Sequence, residues 1–86
     1  MSKYEKLLIK ILKGDADCNV SFDELRNLVK KLGFDERIKG SHHVFRKQGV
    51  IEKINLQCDG SKAKRYQVRQ VRDIILKYNL GGNFDA

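Results

Sequence analysis

Proline and tryptophan are absent from this chain, methionine occurs once and cysteine twice. Without proline, no ring geometry stops a helix or strand, so glycines and polar clusters must punctuate the fold. Cys18 and Cys58 stand far apart and in no Cys-x-x-Cys spacing, which argues against a disulfide framework and leaves two reduced thiols. Long apolar runs are missing too: nothing approaches the roughly 20 consecutive apolar residues that span a bilayer, and the first residues carry no signal-peptide pattern. The expectation is a cytoplasmic protein with no membrane partner. Gly/Ser-rich linkers and internal repeats are also lacking, and the only interruption of note is the turn from Gly14 to Asn19. The 86 residues therefore read as one domain with a modest core.

What the chain has in excess is positive charge. Eighteen Lys and Arg against eleven Asp and Glu give a formal charge of +7, which favours encounter with a polyanion. Charge alone does not choose between RNA, DNA and anionic lipid.

Apolar spacing through Tyr4, Leu7, Leu8, Ile11 and Leu12 predicts an amphipathic helix over residues 3 to 13, stopped by Gly14. Ser21 and Glu24 form a capping box and Val20 can staple onto Leu25, which starts a second helix. Phe22, Leu25, Val29 and Leu32 give that helix one apolar face before Gly33 ends it. Strands are expected at 34 to 39 and 42 to 47 around Gly40-Ser41. A turn at Gln48-Gly49 then leads into a third strand over 50 to 57. After a basic loop from Cys58 to Arg65, Val68, Val71, Ile75 and Tyr78 mark a last helix from Tyr66 to Leu80, before Gly81-Gly82. The result is an α+β class in the order α-α-β-β-β-α, with helices on one face of a three-stranded antiparallel sheet. The final residues, 81 to 86, form a tail.

At about 100 degrees per residue, Arg65, Arg69 and Arg72 share one narrow arc of the last helix and face solvent, with Leu76 among them. Lys62, Lys64 and Arg65 crowd the start of that helix, where free N–H groups and the helix dipole already favour phosphate. Loop, helix start and stripe make either one anion site or an ordinary solvated face. Both histidines are adjacent, His42 and His43, directly after Gly40-Ser41. Neighbours on a strand point to opposite faces, so the pair does not chelate a metal, and neither a cofactor nor a Ser41-based nucleophile is indicated. An imidazole can move the protons that RNA cleavage requires, at the ribose 2′-hydroxyl and the leaving 5′-oxygen. Lys39, Arg37 and Arg46 are the nearest cations for the phosphorane charge. Packing or surface decoration is the competing role for the histidines.

The segment from Ser21 through Leu32-Gly33-Phe34 to Arg37-Ile38-Lys39-Gly40-Ser41-His42-His43, with Phe45 two residues on, resembles the HicA family of toxin ribonucleases. The similarity covers roughly residues 21 to 80 and includes Tyr66-Gln67-Val68-Arg69-Gln70-Val71-Arg72 before Ile74-Ile75-Leu76. The resemblance implies a fold like that of double-stranded RNA-binding domains and metal-independent cleavage of mRNA. It also implies a HicB-type antitoxin partner that covers the active histidine. It places the catalytic role on His43 and makes His42 a helper or bystander, with Lys39, Gly40, Ser41, Arg46, Lys62, Lys64, Arg65, Arg69 and Arg72 on the RNA. Ser61-Lys62-Ala63-Lys64 resembles the phosphate-clamping loop of double-stranded RNA-binding domains. A non-catalytic RNA-binding module with the same fold is the alternative. Two departures stand out. Residues 1 to 20 add a helix that shorter members lack, available for covering sheet surface, self-association or altered antitoxin docking. His43 also shares strand parity with Phe45, which points its ring toward the core.

Overall fold

The computed structural model describes residues 3–80. The glycine pair at 81 and 82 and the tail after it lie outside the described residues.

Helix α1 (Lys3–Lys13) buries Leu7, Leu8 and Ile11. Helix α2 (Phe22–Lys31) begins at Ser21, whose Oγ accepts the Glu24 backbone N–H, and it buries Phe22, Leu25, Leu28 and Val29. Gly33 follows with φ +100, the left-handed conformation expected of a helix terminator. Strands β1 (Asp35–Lys39) and β2 (His42–Arg46) pair antiparallel around the Gly40-Ser41 turn. Gly40 has φ +59 at the first central position of that two-residue turn, where a type II′ hairpin calls for glycine. Strand β3 (Ile54–Leu56) completes a sheet of order β1-β2-β3, and α3 (Arg65–Tyr78) is the last element among the described residues. The protein is thus a small α+β fold of three helices and antiparallel sheets. Among the described residues no helix is long and apolar enough to cross a membrane.

The third strand differs from its sequence expectation. A two-residue turn at Gln48-Gly49 would set Phe45 opposite Glu52, burying a carboxylate in the core layer. The observed register instead sets Phe45 opposite Ile54 and His43 opposite Leu56. Two residues of slip keep every side chain on its proper face and exchange a charge for a methyl-rich partner. The released segment runs as a loop in which Glu52 accepts from Tyr78 Oη at 2.6 Å and Lys77 Nζ at 2.7 Å.

A second difference lies in the stretch expected to be a basic loop. Cys58–Asp59 (β4) and Lys62–Ala63 (β5) form a small hairpin about Gly60-Ser61. It is stitched to the start of α2 by Phe22 N–H to Ser61 O at 3.1 Å and by Ala63 N–H to Val20 O at 2.9 Å.

The added helix α1 lies on α2 and α3, and its apolar face belongs to the same core as Phe45, Ile54 and Val71. Arg72 fixes this arrangement. It departs from the expected solvent stripe, because its Nη1 donates to Asp17 Oδ1 at 2.9 Å and to the Ile11 carbonyl at 3.2 Å. The position lies at the edge of the α3 arc that meets α1, so the guanidinium turns inward to the α1–α2 connection. Arg72→Ala is expected to lower unfolding free energy by about 1–3 kcal/mol, since it strips a mostly buried carboxylate of its partner. Arg69→Ala, on the exposed arc, should stay within about 0.5 kcal/mol. Denaturant titration of the two variants checks this, and equal midpoints would reject the inward role of Arg72.

Candidate functional site

Strand parity decides what can surround each histidine. Glu36, Ile38, His43, Phe45, Ile54 and Leu56 project toward the helices, while Arg37, Lys39, His42 and Arg46 project from the other side. His42 is exposed, with Nδ1 3.3 Å from Asn55 Oδ1. It is therefore separated from His43 by the sheet itself. The same geometry corrects the expectation that Arg37, Lys39 and Arg46 lie nearest to His43 for charge stabilisation.

The groups that do meet His43 come from α2 and β1. Its Nδ1 lies 2.8 Å from Glu36 Oε2, a geometry in which the protonated nitrogen donates to the carboxylate and leaves Nε2 as the second functional atom. Among the described residues that Nε2 makes no hydrogen bond. Glu36 in turn accepts both Nε and Nη2 of Arg26, the latter at 2.8 Å, and Lys30 Nζ stands 3.8 Å away. Arg26 and Lys30 are four apart on α2, so one helical face presents both cations to the strand. Bidentate pairing with Arg26 is the main cause that holds the Glu36 carboxyl at about 2, far below its ordinary range, with the His43 contact adding to it against the opposing effect of burial. The edge of the Phe22 ring faces His43 with centroids 5.0 Å apart. Of the His43 side chain 18% remains exposed. The ring is therefore held on two sides and reachable on a third.

Phe22 also links the imidazole to the basic hairpin, because its ring touches His43 while its amide bonds Ser61. A second line of hydrogen bonds joins the β1–β2 turn to the start of α3. Gln57 Nε2 donates to Ser41 Oγ at 3.3 Å, and Lys64 Nζ donates to Gln57 Oε1 at 3.3 Å. The buried Gln67 fixes this line by accepting the Gln57 backbone N–H at 3.1 Å. Lys62 Nζ donates to Asn19 Oδ1 and stays exposed. Lys64 occupies the N-cap of α3 without a side-chain hydrogen bond to the helix N–H groups, and no acidic residue sits in the first turn, so the positive helix end is uncompensated. Arg65 and Arg69 are exposed along the same helix, as is Leu76.

Of the residues the sequence nominates, the fold links Ser41 with Lys64 through Gln57, and His43 with the Lys62 hairpin through Phe22. It sends Lys39, Arg46 and His42 to the opposite face and turns Arg72 inward. Arg26 and Glu36 were missed. Their signal was available in the strand period: Glu36 alternates with Ile38 on the parity of the core, and a carboxylate there demands a buried-side partner. Among the described residues no group of three or more His, Cys, Asp or Glu side chains gathers as a metal-ligand set. Compared with known proteins, the chain matches no family model, no curated protein and no solved structure.

Proposed function

We propose that this chain is a HicA-like toxin of a toxin–antitoxin pair, an mRNA endoribonuclease of double-stranded-RNA-binding-domain type whose reaction needs no metal and whose general acid or base is His43. The observation that carries the reading is the Arg26–Glu36–His43 line. A carboxylate on Nδ1 fixes the ring and its tautomer, so that Nε2 is the atom presented to substrate. Phe22 holds the ring plane from the side.

In the proposed reaction Nε2 takes the proton of a ribose 2′-hydroxyl as its oxygen attacks phosphorus. The bond to the 5′-oxygen breaks, that oxygen takes a proton from solvent water while Nε2 later returns its own to solvent, and the products are a 2′,3′-cyclic phosphate and a 5′-hydroxyl. The Lys62–Lys64 hairpin and the open start of α3, with Arg65 and Arg69, hold the neighbouring phosphates. A HicB-type antitoxin would silence the chain by covering His43.

A non-catalytic RNA-binding module is the second reading, favoured by the same ring being largely enclosed and edge-packed on Phe22, as a structural histidine is. The two separate on one experiment. Purified chain incubated with single-stranded RNA in excess chelator should yield fragments ending in cyclic phosphate. RNA bound but uncut under those conditions would leave the binding module standing and reject the enzyme.

A further inference from the structure

Among the described residues the helices lie on the side of β1-β2-β3 that carries Phe45, Ile54 and Leu56, and the side chains of the other side are mostly exposed. Alternate residues bring Arg37 and Lys39 of β1 and His42 and Arg46 of β2 to that open face, with Lys53 just ahead of β3. They border a broad depression of about 790 Å³ around Val44 and Asn55. Several cations elsewhere in the fold are engaged, Arg26, Arg72 and Lys77 by carboxylates and Lys62 and Lys64 by side-chain amides, while Arg65 and Arg69 stand exposed on α3. Arg37, Lys39, Arg46 and Lys53 have no side-chain hydrogen bond or ion pair among the described residues. Asp35 stands on the same face, opposite Arg46 in the ladder, and forms no ion pair with it. Like charges side by side on one sheet face repel, so this surface is poorly arranged for stability alone.

We infer that the outer sheet face is a second nucleic-acid site, a track that binds single-stranded RNA by its phosphates. The chemistry of the face selects this partner. Among the described residues Val44 is its sole aliphatic side chain and no Phe, Tyr or Trp lines it, so it lacks the apolar and aromatic anchors of a protein interface. Rows of side chains repeat along the strands at about 6.6 Å, two residues of rise, which suits an extended backbone carrying one charge per nucleotide. Guanidinium and imidazole planes between the rows offer unstacked bases a surface. The track ends at the Gly40-Ser41 turn, where His42 and His43 leave for opposite faces. A strand lying on the outer face reaches the imidazole by crossing that turn. Binding on the track does not depend on His43 being catalytic.

The test uses the full chain and a labelled 2′-O-methyl oligouridine, whose blocked hydroxyl cannot be attacked. The R37Q/R46Q/K53Q variant should bind it roughly tenfold more weakly at low salt, with a log affinity against log salt slope shallower by about 2, or about 0.7 per cation removed. A control with the same charge loss on the exposed face of α1, K3Q/K6Q/K13Q, should keep most of the native affinity. Circular dichroism confirms folding, and single R37Q and R46Q variants carry the test should the triple variant unfold. Unchanged affinity in the face variants would overturn the inference, as would an equal loss in the α1 control. Displacement by poly-glutamate as effective as by unlabelled oligouridine at matched charge would assign the face to acidic polypeptides instead. Cleavage of unmethylated RNA is scored separately: a chain that never cuts removes the enzyme and leaves this binding comparison intact.

Discussion

His43→Ala is expected to reduce RNA cleavage by about 10² to 10⁴, the range that a single positioned acid or base contributes. Affinity for the same RNA should hardly move, because the cations of the Lys62–Lys64 hairpin and the exposed Arg65 and Arg69 do not depend on the ring. The fold should persist as well. Glu36 keeps its bidentate contact with Arg26, so truncation orphans no buried carboxylate, and the lost edge contact with Phe22 is worth about 0.5–1.5 kcal/mol. Single-turnover cleavage, filter binding and a thermal melt on one preparation separate these effects. A variant that stays folded, binds and still cuts at the native rate would strip His43 of its role. Expression should report the same difference, with growth arrest by the native chain and relief by the variant. His42→Ala is the contrasting variant: its ring lies across the sheet beside Asn55, on the outer track, so it should weaken RNA binding while leaving single-turnover cleavage at saturating chain within a few-fold of native.

That contrast between adjacent residues was legible in the sequence, because period 2 in a strand forces neighbours apart. The helices were legible for the same kind of reason. Apolar residues three and four apart place Leu7, Leu8 and Ile11 on one stripe, and Ser21 and Gly33 carry cap chemistry at the two ends of α2. Long-range choices were not local and so were not readable. Whether Phe45 faces Glu52 or Ile54 depends on the summed fit of two strands against a core, to which the Gln48-Gly49 turn signal is blind. The inward turn of Arg72 depends on α1 being docked beside α3, a tertiary fact that a helical wheel of α3 alone cannot contain. The β4–β5 hairpin is held by backbone bonds to Val20 and Phe22, far off in sequence. Glu36 lies between these cases: its parity was visible in Asp35-Glu36-Arg37-Ile38-Lys39, but its partners on α2 were not.

Glu36→Gln is expected to have the second largest effect, and it acts on chemistry and stability by different routes. The carboxylate touches no substrate in the proposed reaction. It is a positioning residue, and its loss should lower kcat by roughly a hundredfold or more while KM stays near native, since the ring loses the acceptor that sets its tautomer and orientation. A fall confined to KM would place Glu36 in RNA binding instead. On stability, the side chain of Glu36 is only 8% exposed and serves Arg26, Lys30 and His43 together, so the amide should cost about 1–3 kcal/mol at neutral pH. The pH dependence identifies the cause. The Glu36 carboxyl is depressed from its ordinary 4.5 to about 2 in the folded chain. Its stabilisation is therefore complete above the unfolded value and is lost as pH falls from about 5 through about 2, where folded Glu36 takes up a proton. Glu52 is held similarly low by Lys77 and Tyr78, but it is common to both proteins and cancels in their difference. Native and variant unfolding free energies should thus lie apart at pH 7 and converge toward pH 2. A constant gap across that range would mean that the loss on substitution comes from packing, and that the Arg26–Glu36–His43 line contributes no charge-dependent hold on the imidazole.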